Sequence, residues 1–208
     1  MLNERRLVTK EPSRQGGDDV MFAGRLAIPA NRIPLAMAPI DHLFAEHVRI
    51  RIACDLLDTL ARRPADAGRQ LPAVLAPFFR EDFVRHCDDE ENDLLPLLEW
   101  RLAADGAIDE SLNRLRAEHA TDRKALQLIV PLLDDLAVGE EIADLAKCGI
   151  VIKSFVESVR CHLDWEDATV AALADSRLTK SDCEALVAGM MRRRDGSNGS
   201  NGSNGSKG

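Results

Sequence analysis

The sequence predicts an all-α protein built around a four-helix bundle with a short fifth helix. From about residue 39 to residue 194, apolar residues recur at intervals of three and four, as they do on one face of an α-helix. The two halves of this region share one pattern of apolar and polar positions, which indicates two copies of a helical hairpin. Two hairpins that close on each other form a four-helix bundle.

The expected helices follow one another along the chain. They are helix A at residues 39–62, helix B at 72–103, helix C at 110–136, helix D at 140–174 and a fifth helix at 180–194. Pro39 suits the first turn of helix A, and Thr179 is a suitable N-cap for the fifth helix. Pro96 predicts a bend in helix B, and Pro131 predicts a local disturbance in helix C.

The two ends of the chain differ from this region in composition. Residues 1–37 have no helical period and contain several prolines and glycines, so an irregular N-terminal arm is expected there. Residues 38–194 form the expected bundle with its fifth helix. Residues 195–208 contain the repeat GSNGSNGSNGSKG, which is typical of a flexible tail and is left out of the expected fold.

Composition excludes several classes of function. The 208 residues include 35 Asp and Glu against 27 Lys and Arg, and the resulting net charge of −8 disfavours nucleic acid as a partner. No apolar run approaches the roughly 20 residues that span a membrane. The five cysteines form no CxxC pair, which argues against a disulfide framework and for reduced thiols in the cytosol. No apolar segment follows Arg5 and Arg6, so no export signal is expected.

Two HxxxE motifs occupy equivalent positions in the predicted repeat. Helix B carries His86 and Glu90, and adding 76 to each number gives His162 and Glu166 on helix D. All four residues replace apolar residues in the stripe that faces the bundle interior. Because residues four apart lie on one face of an α-helix, each motif directs an imidazole and a carboxylate inward.

Helices A and C contribute one further histidine each. His47 and His119 are 72 residues apart, and both follow the dipeptide Ala-Glu on an apolar stripe. Four imidazoles and two carboxylates therefore converge on one core, where charged groups are costly unless they are paired or bind a metal. A metal centre is expected, and two ions bridged by Glu90 and Glu166 fit six ligands better than one ion does. The alternative is a polar network inside an ordinary bundle.

The order H…HxxxE…H…HxxxE resembles the hemerythrin-like (HHE cation-binding) family over about residues 39–193, including HCDDEENDLLPLL from His86. The resemblance implies an up-down-up-down, hemerythrin-like bundle. It also implies two iron ions, Fe2+ or Fe3+, joined by an oxo or hydroxo bridge. The implied metal ligands are His47, His86, Glu90, His119, His162 and Glu166. Ferritin-like di-iron proteins use ExxH instead of HxxxE.

One position departs from the family pattern. Oxygen-carrying hemerythrins have a second histidine one turn after the helix C histidine, and Arg123 stands there instead. This departure argues against reversible oxygen carriage and favours redox reactivity. Asp122 is interpreted as a ligand, as a group that holds His119, or as a half-exposed side chain. His42, whose counterpart in the repeat is Arg114, is expected near a helix start, on the surface or at the mouth of a pocket.

Three cysteines lie close to the predicted ligands. Cys87 follows His86, Cys161 precedes His162, and Cys54 lies on the helix A stripe. Small core residues are the ordinary interpretation of all three. A redox role, as electron donor or oxidation target, is the alternative.

These observations lead to a functional prediction. Iron suits imidazole and carboxylate ligands, so we expect a cytosolic bacterial di-iron protein that binds or reduces O2, NO or H2O2 in oxidative or nitrosative stress. Both an oxidoreductase and a protein that only binds its ligand fit this prediction. The sequence does not identify a redox donor. One alternative is a binding module that senses oxygen or iron and acts through a partner protein. Another is a structural bundle stabilised by zinc, since zinc binds such ligands more tightly than ferrous iron.

Overall fold

The computed structural model describes residues 39–63, 68–103, 106–142 and 144–198. All regular structure within these ranges is helical, which confirms the prediction of an all-α protein. The expected N-terminal arm at residues 1–37 and residues 199–208 of the expected tail lie outside the described residues. None of the helices described has the length and apolar character that crossing a bilayer requires.

The described part of the chain forms five helices. Helix α1 is Pro39–Arg62, α3 is Gly106–Val138 and α5 is Lys180–Asn198. Helix α2 runs without a break through Gln70–Pro77, Phe78–Phe83, Val84–Asp89, Glu90–Leu94 and Leu95–Leu102. Helix α4 runs in the same way through Leu145–Trp165, Glu166–Val170 and Ala171–Arg177.

Local sequence explains where α3 ends and α4 begins. Gly139 follows α3 with a φ of 85°, and its N–H group donates a hydrogen bond to the carbonyl of Asp135 at 3.1 Å, as in a glycine C-cap. Helix α4 begins later than the predicted residue 140. The reason is an N-cap at Asp144, whose Oδ1 accepts a hydrogen bond from the backbone N–H of Lys147 at 2.9 Å.

Thr179 caps α5 as predicted. Its hydroxyl accepts a hydrogen bond from the N–H of Asp182 at 3.3 Å, and the Asp182 carboxylate accepts one from the N–H of Thr179 at 2.7 Å. This reciprocal pair is a capping box. Arg101 of α2 donates to the same carboxylate at 2.9 Å, so the start of α5 is tied to the bundle. The helix continues beyond the predicted residue 194 and includes residues 195–198.

Helices α2 and α4 widen into π-helical turns at equivalent positions. These turns are Glu90–Leu94 and Glu166–Val170, and each begins at one of the predicted carboxylate ligands. Such turns often occur at functional sites. Pro96 comes just after the first turn, where its missing N–H group is tolerated. The second turn forms without a proline, and a further π-helical turn of α2, Phe78–Phe83, directly follows Pro77. Pro131 lies inside α3 without ending it.

The four long helices pack in a ring, in which α1 and α3 each contact both α2 and α4. Their interior contains two apolar clusters. In the first, the ring of Phe155 meets the rings of Phe79 and Phe83 at centroid distances of 5.5 and 5.7 Å. The second includes Leu43 and also Leu186 of α5. On every long helix the predicted ligands fall between residues of the two clusters, so they form a polar layer across the core.

Candidate metal centre

The structure brings all six predicted ligand residues into one buried layer. Each of the six residues is at most 2% exposed. The imidazole rings form two pairs, with centroids 4.9 Å apart for His47 and His86 and 5.4 Å apart for His119 and His162. We call the first pair, from α1 and α2, the first half-site. The second pair, from α3 and α4, is the second half-site.

The two carboxylates lie between the half-sites. Glu90 Oε1 is 3.4 Å from His86 Nε2 and 3.7 Å from His47 Nε2, whereas its Oε2 is 3.4 Å from His119 Nε2. Glu166 Oε2 is 3.4 Å from His47 Nε2, and its Oε1 is 3.8 Å from His119 Nε2. Each carboxylate therefore presents one oxygen to each half-site, which is the arrangement of a bridging ligand.

The atoms that face the centre of this layer are buried without hydrogen-bond partners. They are the Nε2 atoms of His47, His86, His119 and His162, Oε2 of Glu90 and both Oε atoms of Glu166. Buried polar atoms are normally hydrogen-bonded, and an unpaired one costs about 1–3 kcal/mol. Four of the six residues alone offer ligand atoms that all lie within 4.8 Å of one another. This donor set fits a metal cation, which would coordinate these same atoms.

A carboxylate stands behind every one of the four imidazoles. The Nδ1 atoms of His47, His86, His119 and His162 lie 2.6, 3.2, 3.0 and 3.2 Å from Asp167, Glu46, Glu91 and Asp122, respectively. We call these four carboxylates the outer layer. A partner at Nδ1 fixes the orientation of a histidine ring and directs Nε2 towards a metal. Three of the four were not predicted from the sequence, although each is the immediate neighbour of a predicted ligand in the chain.

The charges within the layer stabilise one another. Burial alone raises the pKa of Glu90, but the positive charge of His86 and the neighbouring imidazoles lower it to about 2. Burial alone lowers the pKa of His86, and the charge of Glu90 outweighs this effect and raises it to about 9. The nearby carboxylates of Glu166 and Glu91 likewise outweigh burial at His119 and raise its pKa to about 10. The charged forms of Glu90, His86 and His119 are therefore favoured by their neighbours despite burial.

Residues 38–179 match the family model described as the hemerythrin HHE cation binding domain. The chain belongs to this family. The matched region covers the four long helices and all six predicted ligands, and it ends just before α5. Comparisons with curated proteins and with solved structures returned no match. The family and the histidine–carboxylate cluster together make this a hemerythrin-like metal-binding domain.

Arg123, at the departure from the oxygen-carrying hemerythrins, points away from the centre of the domain. It donates hydrogen bonds to Glu91 at 2.7 Å and to Asp88 at 2.8 Å, and Glu91 is the outer-layer partner of His119. The arginine therefore holds the outer layer instead of supplying a fifth imidazole. The equivalent group at the first half-site is Arg51 with Asp164 and Asp167.

Asp122 and His42 take places that differ from the expectations. Asp122 is 1% exposed, so its interpretation as a half-exposed side chain is wrong, and it contacts His162 rather than His119. His42 lies near the start of α1 as expected but is also 1% exposed, so it is not on the surface. Its Nε2 is 3.3 Å from Glu46 and 3.0 Å from a guanidinium nitrogen of Arg194, because α5 covers this part of α1.

The three cysteines near the ligands fall into two groups. Cys54 and Cys87 are fully buried, as expected of small core residues. Burial raises the pKa of Cys54 to about 12 and that of Cys87 well above its usual value. Cys161 is exposed, so the expectation that it packs in the core is wrong.

A small cavity adjoins the first half-site. It is lined by His47, Glu90 and Glu166 and by the apolar side chains of Ile40, Leu43, Phe44, Leu94 and Val170. Its volume of about 10 Å³ is close to the minimum that holds one water-sized molecule. The cavity is therefore about the size of one water molecule, and it lies between the predicted metal ligands and an apolar wall.

Proposed function

We propose that this hemerythrin domain is a cytosolic non-haem di-iron protein that binds or reduces O2, NO or H2O2 in oxidative or nitrosative stress. The observation that carries the proposal is the set of buried, unpartnered ligand atoms on two imidazole pairs and the two carboxylates between them. A single ion would leave part of this set uncompensated, whereas two ions would use all of it. Family membership supports a metal in this position.

In this proposal each half-site holds one iron. His47 and His86 would hold the first iron, His119 and His162 would hold the second, and Glu90 and Glu166 would each offer one oxygen to both. Two imidazoles and two carboxylate oxygens for each ion leave open positions, as is usual in non-haem iron sites that react with small molecules. Bound iron would supply a change of oxidation state.

The chain's own residues prepare the site for such a ligand. Hydrogen bonds of the outer layer hold Nδ1 of three imidazoles, and Asp122 lies 3.2 Å from Nδ1 of the fourth, so that the Nε2 atoms stay directed at the centre. The apolar side chains of Phe44, Leu94 and Val170 border the space of about one water molecule beside the first half-site. A metabolite-sized substrate does not fit this space, which favours a ligand as small as O2, NO or H2O2.

The proposal includes an up-down-up-down order of the four long helices. Short connections support it, because short loops favour antiparallel neighbours. Residues 63–69 join α1 to α2, residues 103–105 join α2 to α3, and residues 139–144 join α3 to α4.

A second candidate function is an oxygen- or iron-sensing module that acts through a partner protein. The observation that favours it is α5, which lies beyond the residues of the family match yet contacts α1 and α2 beside the first half-site. Such a helix could transmit a change at the metals to another protein. The two candidates differ in stoichiometry, since a sensor binds its ligand once and an enzyme consumes it repeatedly.

The test is a titration of reduced, iron-loaded protein with NO and, separately, with H2O2, followed by absorbance. Consumption of many equivalents supports reduction, and saturation at a fixed stoichiometry supports binding or sensing. The matched variants are Glu166→Gln, which removes a bridging carboxylate, and Glu157→Gln, which changes an exposed carboxylate on the same helix. Wild-type protein that reacts with neither molecule, or reacts no differently from Glu166→Gln, would overturn the proposal.

A further inference from the structure

The basic end of α5 reaches the buried face of the first half-site. Arg194 donates a hydrogen bond to Asp89 at 2.7 Å and another to Glu46 Oε1 at 3.2 Å. Arg193 donates to the other oxygen of Asp89 at 2.6 Å. Asp89 is fully buried and immediately precedes the predicted ligand Glu90. Helix α5 thus supplies two cations to the stretch of α2 that carries the ligands.

Glu46 connects Arg194 to a predicted metal ligand. While Oε1 of Glu46 contacts the guanidinium, its Oε2 lies 3.2 Å from Nδ1 of His86. The side chains of Glu46 and His86 are 4% and 1% exposed, so solvent does not replace either contact. An unbroken chain of contacts therefore runs from α5 through Glu46 to the imidazole of His86.

The carboxylate partners at Nδ1 follow the internal repeat for two of the four imidazoles and depart from it for the other two. The outer-layer partners of His47 and His119 are equivalent, because Asp167 is Glu91 moved by 76 residues. The partners of the other two imidazoles are not equivalent and are Glu46 for His86 and Asp122 for His162. Oδ2 of Asp122, the oxygen that faces His162, has no hydrogen-bond partner. At the first half-site, Arg194 contacts Glu46, which is the outer-layer partner of His86.

We propose that Arg194 is a positioning residue of the first half-site, and that docking of α5 sets how firmly this half-site retains its metal. Arg194 orients Glu46, and Glu46 in turn fixes the ring of His86. If α5 leaves, Asp89 loses the two guanidinium groups that bind it, and Glu46 Oε1 loses Arg194 while His42 Nε2 stays 3.3 Å away. The inference rests on the proposed function, because it requires a metal in each half-site.

The experiment measures how fast ferrous iron leaves the full-length protein for a coloured chelator under anaerobic conditions. Arg194→Gln removes the cation, and Arg192→Gln changes an exposed arginine on the same helix as the matched control. Loss of a partner behind a metal-ligating histidine weakens metal binding by about 10–100-fold. We therefore expect half of the iron in Arg194→Gln to leave at least about tenfold faster, and the other half to leave at the wild-type rate. Arg192→Gln should match the wild type.

A second variant separates positioning from general stability. Glu46→Gln leaves the ion pairs between Asp89 and the arginines of α5 in place, so α5 should stay docked. It should still speed the release of the same half of the iron, and Arg194→Lys, which keeps the charge, should restore part of the retention. Circular dichroism checks that each variant is folded. If Arg194→Gln does not fold, the release of iron from Glu46→Gln tests the inference.

Three results would overturn the inference. They are unchanged release from Arg194→Gln, equal acceleration of all the iron, and unchanged release from Glu46→Gln. The metal content of the wild type separates this failure from failure of the proposed function. Fewer than two irons in the wild type refutes the proposed function itself, whereas two irons without a selective effect refutes only the role of α5.

Discussion

The two ring nitrogens of each predicted ligand histidine face different surroundings. Nε2 faces the centre without a hydrogen-bond partner, and Nδ1 faces a carboxylate. The periodicity of the sequence could predict that these histidine side chains point into the bundle, because it places His47 and its equivalents on an apolar stripe. It could not predict the outer layer, because Glu91 and Asp167 lie one residue off that stripe and meet their partners across helices.

The outer layer leads to a first prediction. Asp167→Asn removes the negative charge behind His47 while keeping the shape of the side chain. We expect iron binding to weaken by about 10–100-fold, because the ring of His47 loses its charged partner. The measurement is iron retained against increasing chelator. Asp164→Asn is the control, since Asp164 binds Arg51 without touching His47. Equal retention by the two variants would show that the outer layer does not support the metal.

The cysteines provide a second prediction at the residue scale. Because burial raises the pKa of Cys54 to about 12, only about one in 10⁴ of its thiols is ionised at pH 8, and thiolate is the reactive form. A thiol reagent at pH 8 should modify the exposed Cys161 and leave Cys54 and Cys87 unmodified until the protein unfolds. Peptide mass spectrometry identifies the modified residues. Modification of Cys54 in the folded protein as fast as Cys161 would contradict this account.

At the scale of the elements, the presence of each helix was easier to predict from sequence than its π-helical turns or its exact ends. The alternation of steps of three and four was enough for α1 to α5. The π turns at Glu90–Leu94 and Glu166–Val170 left no signal, because two successive steps of four also occur in ordinary α-helices. The start of α4 was misplaced because the cap at Asp144, and not the preceding apolar pattern, decides it.

The capping box of α5 provides a prediction at this scale. Thr179→Ala removes the hydroxyl that accepts from the N–H of Asp182. We expect a loss of about 1 kcal/mol in the free energy of unfolding, the usual cost of losing an N-cap. Denaturant unfolding measures it, with Ser181→Ala, an exposed position in the first turn of α5, as the control. If both variants unfold alike, the cap does not stabilise α5.

At the scale of the whole molecule, a polar layer separates two apolar clusters of one helical bundle. The clusters stabilise the fold, and the layer opposes them through its unpaired buried atoms. The internal repeat made the layer predictable from sequence, since each ligand on one hairpin predicts its equivalent on the other. The part played by α5 was not predictable, because Arg194 meets Glu46 from 148 residues away and outside the repeat.

This arrangement predicts that metal stabilises the folded bundle. A ligand that binds only the folded state adds about 2.7 kcal/mol when its free concentration is 100 times its dissociation constant. We therefore expect the melting temperature of the chelator-treated protein to rise on anaerobic addition of ferrous iron, as calorimetry would show. Glu166→Gln should show a smaller rise. A melting temperature that does not change when iron is added would mean that the charges of the polar layer are balanced without a metal.

The central claim is that the six buried histidine and glutamate residues hold two irons. The most direct test is the metal content and optical spectrum of protein purified without added metal, reduced and then exposed to oxygen. We expect two irons per chain and near-ultraviolet bands of an oxo bridge after oxygen exposure. One zinc or no metal, with no spectral change in oxygen even after anaerobic iron loading, would contradict it.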